Sequence, residues 1–86
     1  VTLLEEDGPG KVTHFYWTTI NGGRFHFRQL VLRAWWDGEA EPSIEVPLGD
    51  FFCVPHSTPV PVFSLAAVVN PGSDQSLTWG LNFYLP

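Results

Sequence analysis

The chain has 86 residues, of which 44% are hydrophobic and 15% aromatic, and its formal net charge is −5. This composition is typical of a folded chain, and the length allows one domain at most. Four basic residues stand against nine acids, so the sequence lacks the basic surface that nucleic-acid binding requires. No apolar run approaches the ~20 residues of a membrane span, and we expect no membrane partner. Cys53 is the single cysteine and no Cys/His cluster has zinc spacing, so we expect no disulfide, metal or other cofactor.

Five segments rich in β-branched and aromatic residues are predicted to be strands, and no segment has a helical pattern. We therefore expect helix in fewer than roughly 10% of residues. The clearest strand is Gln29 to Asp37, whose alternation places Leu32 and Trp36 on one face and Arg33 and Trp35 on the other. In chain order the predicted strands are Val12 to Ile20, Gln29 to Asp37, Ser43 to Val46, Phe63 to Val69, and Leu77 to Tyr84.

Turn residues separate these strands. Asp37-Gly38 and the segment from Asn70 to Asp74 are predicted turns, and the proline-rich segment Pro55 to Pro61 is predicted to be an extended loop or a sheet edge. Short strands with turns between them indicate a sandwich, barrel or jelly roll. Because a jelly roll needs eight strands, the expected fold is an all-β partial jelly roll or β-sandwich. We expect residues 1–86 to form this single partial domain as a fragment of a longer protein.

The acidic side chains are the first candidates for chemistry, because paired carboxylates at about 5–5.5 Å or 6.5–9.5 Å hydrolyse glycosidic bonds. Asp37, Glu39 and Glu41 fall on a predicted turn, where acids are usually only solvated. Glu45 and Asp50 flank the end of a strand, and Asp50 is expected to accept backbone N–H bonds in a turn. The pattern therefore does not select a catalytic pair.

Histidines and aromatic residues are the remaining candidates. His14, His26 and His56 share no spacing, and His14 within an aromatic strand is expected to be packed and hydrogen-bonded. Ser57 beside His56 has the residue types of a nucleophile and base, but adjacency in sequence does not supply their geometry. The Trp35-Trp36 pair points to opposite faces of its strand, which leaves one ring for a core and one for a ligand or subunit.

Four segments resemble glycoside hydrolase family 172, formerly domain of unknown function 2961, and they occur in the family's order. They are GPGKVTHFYW at 8–17, LVLRAWWDGE at 30–39, EVPLGDFF at 45–52 and LNFYLP at 81–86. The third is similar to the family's "V-P-L-G-D-F-F" segment almost residue for residue. One departure is Cys53, which stands where the family usually has a glycine.

The resemblance implies two tandem jelly rolls per subunit, subunits assembled as trimers or multiples of trimers, and retaining hydrolysis of furanosides such as difructose anhydrides or arabinofuranosides. The segments found here resemble the family's first jelly roll, whereas its two catalytic glutamates are expected in the second. The resemblance therefore assigns no catalytic residue to this chain. It implies a role in scaffold and subunit interface, with Asp50, Phe51 and Phe52 shaping a carbohydrate-binding pocket.

A second hypothesis is a non-catalytic jelly roll that binds sugar or assembles as a capsid protein does. The two hypotheses differ in the sequence expected after Pro86. Under the enzyme hypothesis, the reading frame is expected to continue into a second jelly roll with an acidic Gly-Thr-rich motif.

Overall fold

The computed structural model of the chain describes residues 1–19, 25–56, 60–71 and 79–84. These residues form six strands in antiparallel sheets and two helical segments of four residues each. The elements are β1 His14–Thr19, α1 His26–Gln29, β2 Val31–Ala34, β3 Ile44–Pro47, α2 Leu48–Phe51, β4 Val62–Phe63, β5 Ala67–Pro71 and β6 Trp79–Tyr84. The predicted all-β partial sandwich is confirmed. Neither helix is long and apolar enough to cross a membrane.

The larger sheet has four strands in the order β1-β6-β5-β4. The first strand therefore pairs with the last, with Trp17 opposite Leu81 and Phe15 opposite Phe83. Directly opposed residues share a face of the sheet, so these four side chains point to the same side. That side faces the core. Val69 of β5 joins it because it lies opposite Leu81.

The smaller sheet is a hairpin of β2 and β3, closed by the predicted Asp37-Gly38 turn. Both turn residues have positive φ, 55° and 69°, and the N–H of Glu39 donates to the carbonyl of Trp36 at 3.2 Å. Positive φ at both central positions is characteristic of the type I′ turn that Asp-Gly favours. The predicted third strand, Ser43 to Val46, is found one residue later as β3.

Two predicted strands have the wrong bounds. Gln29 belongs to α1 rather than to a strand, and β2 ends at Ala34, so Trp35 and Trp36 lie beyond the ladder with about half of their surface exposed. The Trp pair thus does not divide between core and solvent. The chain leaves the strand conformation there to enter the hairpin loop.

The predicted strand Phe63 to Val69 is two strands, β4 and β5, paired with each other. The turn between β4 and β5 contains no Gly or Pro, and it is closed by hydrogen bonds of Ser64 instead. The N–H of Ala67 donates to the Ser64 hydroxyl at 2.9 Å, and the N–H of Ser64 donates to the carbonyl of Ala67 at the same distance. A serine side chain that replaces a ladder acceptor gives no periodic signal in the sequence.

Other boundaries differ by less. β5 continues through Asn70 and Pro71, so the predicted turn begins later than expected. Pro55, His56 and Pro61 are outside strands, as expected for the proline-rich loop. The parts of the predictions that fall on 20, 57–59, 72–78 and 85–86 lie outside the described residues.

The core lies between the inner face of the four-stranded sheet and the segment that carries α1 and α2. Its buried members come from both layers and form one cluster, Phe27, Leu48, Phe52, Val54, Val69 and Leu81. Burying one such side chain contributes about 1.5–3 kcal/mol. The core thus holds α2 firmly against the sheet.

Candidate functional site

The segment from Pro47 to Val54, which we call the α2 turn, contains α2 and closes on itself through backbone hydrogen bonds. The N–H of Leu48 donates to Leu30 at 2.8 Å, and the N–H of Val54 donates back to Gly49 at 2.8 Å. The N–H of Phe52 also donates to Gly49, at 3.1 Å. Most of the backbone hydrogen bonds given by this turn are therefore internal to it, and the bond to Leu30 ties its start to the end of α1.

Gly49 is required at its position by the close approach of other atoms. A Cβ there would lie 2.5 Å from the carbonyl oxygen of Val54 and 2.8 Å from the Cβ of Phe27. Neither atom is at the end of a flexible side chain, so neither can move aside cheaply. This contact explains why the Leu-Gly-Asp-Phe-Phe segment needs its glycine.

The two phenylalanines after Asp50 have different environments. Phe52 is fully buried, with 0% of its surface exposed, and its ring lies 6.1 Å from that of Phe15 in β1. Phe51 is half-buried, and its ring centroid lies 4.7 Å from that of Phe83 in β6. Phe52 therefore anchors the turn to the sheet, whereas Phe51 retains surface that a ligand can reach.

Asp50 is the polar member of the turn, and Arg28 is its partner. Nη1 of Arg28 donates to Oδ2 of Asp50 at 2.5 Å and reaches the carbonyl of Pro55 at 3.4 Å. The side chains are 44% and 28% exposed. The expected backbone-capping role of Asp50 is thus replaced by an ion pair between α1 and α2. Both groups keep part of their surface in contact with solvent.

Arg28 is the site residue that the sequence did not reveal. It lies 22 positions before Asp50, between the predicted first strand and the predicted second strand. Only the packing of α1 against α2 brings the two side chains together. A single arginine among aromatic residues gives no local signal of that contact.

Cys53 follows the two phenylalanines and has φ of 66°, in the left-handed region that favours glycine. Cys53 is exposed, and its thiol is free of any disulfide bond. This backbone conformation suits the glycine that the family resemblance implies at this position.

A protein-family model described as GH172 domain-like matches residues 1–66, which is 66 of the 86 residues. The chain belongs to this family. The matched range contains the 8–17, 30–39 and 45–52 segments, and so it includes the whole α2 turn. The comparison with curated proteins and the comparison with solved structures found no match.

The acidic side chains in the described part of this GH172-like domain are exposed or half-buried, and two of them are paired with arginines. Asp37, Glu39 and Glu41 are exposed, as expected for a solvated turn. Glu45 accepts a hydrogen bond from Arg33 at 2.6 Å, directly across the β2–β3 ladder. No group of three or more His, Cys, Asp or Glu that could hold a metal ion occurs among the residues described.

The three histidines of the GH172-like domain lie at different places in the fold. His14 is exposed, but its ring stacks on that of Tyr84 at a centroid distance of 4.5 Å, and it is hydrogen-bonded as expected. Its Nε2 lies 3.1 Å from the amide oxygen of Asn82, which accepts the ring proton. His26 lies in α1 and His56 in the exposed loop, while Ser57 is outside the described residues.

Proposed function

We propose that this domain is the non-catalytic part of a glycoside hydrolase that acts on furanosides of the difructose anhydride or arabinofuranoside type. In this proposal it supplies scaffold and subunit interface, and the α2 turn shapes one side of the substrate pocket. The observation that carries the proposal is the family match over residues 1–66, which includes the complete turn.

The geometry of the turn supports this role. Phe52 and Gly49 fix its backbone against the core, so groups on it are held in place before a ligand arrives. The carboxylate of Asp50 can accept hydrogen bonds and the guanidinium of Arg28 can donate them, next to the half-buried ring of Phe51. A few polar groups beside an aromatic surface are typical of a small-molecule site.

The acids of the chain support the placement of catalysis elsewhere. A retaining glycosidase needs one carboxylic acid that keeps its proton, usually through burial in an apolar site. In the described ranges every Asp and Glu is exposed or half-buried. Glu45 and Asp50, the two beyond the predicted acidic turn, are each paired with an arginine.

The first test is an activity assay of the purified chain on 4-nitrophenyl α-arabinofuranoside and on a difructose anhydride. We expect no turnover of either. Turnover that disappears in Asp50→Asn or Glu45→Gln would show that this chain carries catalysis and would contradict the proposal.

The second test is a titration of the ¹⁵N-labelled chain with arabino-oligosaccharides, followed by NMR. We expect weak binding that shifts the amides of Phe52, Cys53 and Val54, and that is reduced in Asp50→Asn. Glu45→Gln is the control, because it also removes a carboxylate that is paired with an exposed arginine, but one that lies in β3 rather than in the turn. Equal effects of the two substitutions would argue against a pocket role for Asp50.

A further inference from the structure

The outer face of the four-stranded sheet carries exposed aromatic rings with polar groups between them. Tyr16 of β1 is 61% exposed and Tyr84 of β6 is 41% exposed. His14 and Asn82 lie between them, since His14 is opposite Tyr84 and Tyr16 is opposite Asn82 in the ladder. The same face continues across β5 to Phe63 of β4, which is 75% exposed.

We propose that this outer face is a second carbohydrate-binding surface, separate from the α2 turn, that takes neutral sugar chains by stacking on Tyr16 and Tyr84. The choice of carbohydrate as the ligand class rests on the proposed function. The location of the surface rests on the sheet alone.

The polar groups on this face are held in place by one another. The His14 ring is parallel to that of Tyr84, with 2° between their planes, and it contacts Asn82. The Thr18 hydroxyl donates to the Tyr16 hydroxyl at 3.0 Å. Within the described residues, these bonds leave the Tyr16 hydroxyl proton and the Asn82 amide NH₂ to donate to a ligand. Sugar hydroxyls can accept from both.

The charge of the face matches a neutral ligand. The whole chain carries a net charge of −5, yet the outward positions on the described strands are Tyr, His, Thr, Asn, Gly, Val and Phe, with no charged residue among them. A charged ligand would find no counter-charge there. The C–H faces of a sugar ring, by contrast, pack well on aromatic rings.

A second layer of protein fits this face less well. A covering sheet would remove Tyr16, Thr18, His14 and Asn82 from water, and each polar group without a new partner would cost about 1–3 kcal/mol. On the outer face of the described strands, only the side chains of Phe63 and Val68 are wholly apolar. A hydroxyl-rich ligand replaces the lost water contacts with its own.

The test is affinity electrophoresis of the chain in native gels that contain soluble arabinan or inulin. We expect both polysaccharides, or one of them, to retard the wild-type chain. Tyr16→Ala and Tyr84→Ala should each weaken the association by about two- to tenfold, as expected for loss of one aromatic contact. Tyr16→Phe should keep most of the retardation because it keeps the ring.

Two control substitutions separate this surface from other sites. Trp36→Ala removes an aromatic ring that is 49% exposed but lies in the β2–β3 hairpin loop, so it should leave retardation unchanged. Glu45→Gln removes a carboxylate of β3, which lies in the other sheet, and should also leave it unchanged. If Asp50→Asn abolishes retardation and Tyr16→Ala does not, the α2 turn binds the sugar and this inference is wrong while the proposed function stands.

A measurement without substitutions covers the case in which the tyrosine variants fail to fold. In the NMR titration with arabino-oligosaccharides, the amides of β1 and β6 should shift as a group distinct from those of residues 52–54. Shifts confined to residues 52–54, or no retardation by either polysaccharide, would overturn the inference. So would a change in sedimentation of Tyr16→Ala with unchanged gel retardation, because that result identifies a protein layer on the face.

Discussion

Replacing Cys53 by glycine should stabilise the domain. At φ of 66°, Cys53 holds its Cβ close to the following carbonyl, which costs an L-residue about 1–2 kcal/mol. Glycine avoids that cost but loses about 0.4–1 kcal/mol through the greater entropy of its unfolded chain. The thiol is exposed, so little burial is lost. The net gain should be about 0.5–1 kcal/mol, or roughly 2–8 °C in melting temperature for a domain of this size.

The assay is thermal unfolding followed by far-ultraviolet circular dichroism at one fixed protein concentration, since an assembling chain melts at a concentration-dependent temperature. Cys53→Ala is the first control. It removes the same thiol but keeps the Cβ, so its melting temperature should stay close to that of the wild type.

Gly38→Ala is the reciprocal control. Gly38 has nearly the same φ, 69°, and a Cβ there would meet nothing within 4 Å. Its substitution adds the left-handed backbone cost of about 1–2 kcal/mol and recovers about 0.4–1 kcal/mol of unfolded-chain entropy, so the net loss should be about the amount that Cys53→Gly gains. If Cys53→Gly melts no higher than Cys53→Ala, the backbone at position 53 is not strained and the reasoning fails.

Three further outcomes are expected. Gly49→Ala should lower the free energy of unfolding by about 2–3 kcal/mol, because the new Cβ overlaps Val54 and Phe27. A melting curve equal to that of the wild type would contradict the close approach. Arg33→Ala should change the free energy of unfolding by less than about 1 kcal/mol in denaturant titrations, because its ion pair with Glu45 is half-exposed. A larger loss would show that the β2–β3 hairpin depends on this ion pair. Sedimentation of the purified chain at micromolar concentration should show assemblies rather than a compact monomer, because β1 is a six-residue strand at the edge of its sheet.

Much of the fold could be predicted because the signals were local. The β-branched and aromatic residues of β1 and β6, and the Asp37-Gly38 turn, are each signals from residues within a few positions of one another. The Leu-Gly-Asp-Phe-Phe segment was also visible, although not the reason for its glycine. That reason is a contact with Phe27, which lies 22 residues earlier and in a different element.

The candidate site was predicted only in part. Asp50, Phe51 and Phe52 were selected together by their resemblance to a family segment, and they remain the proposed pocket residues. Their differences came from packing: Phe52 is directed into the core, Phe51 stays at its edge, and Asp50 pairs with Arg28. Residues adjacent in a turn point in different directions, so sequence adjacency does not assign them one role.

By itself, the sequence determined the β-rich character of the chain, the position of most strands and the family to which it belongs, because periodicity, turn residues and motif order are properties of short stretches. Only the tertiary structure decided which strands pair and which faces are exposed. The pairing of β1 with β6 joins residues that are 60 to 70 positions apart, from Thr19 with Trp79 to His14 with Tyr84. Such pairing is selected by the burial of whole faces against one another, which no single stretch of sequence encodes.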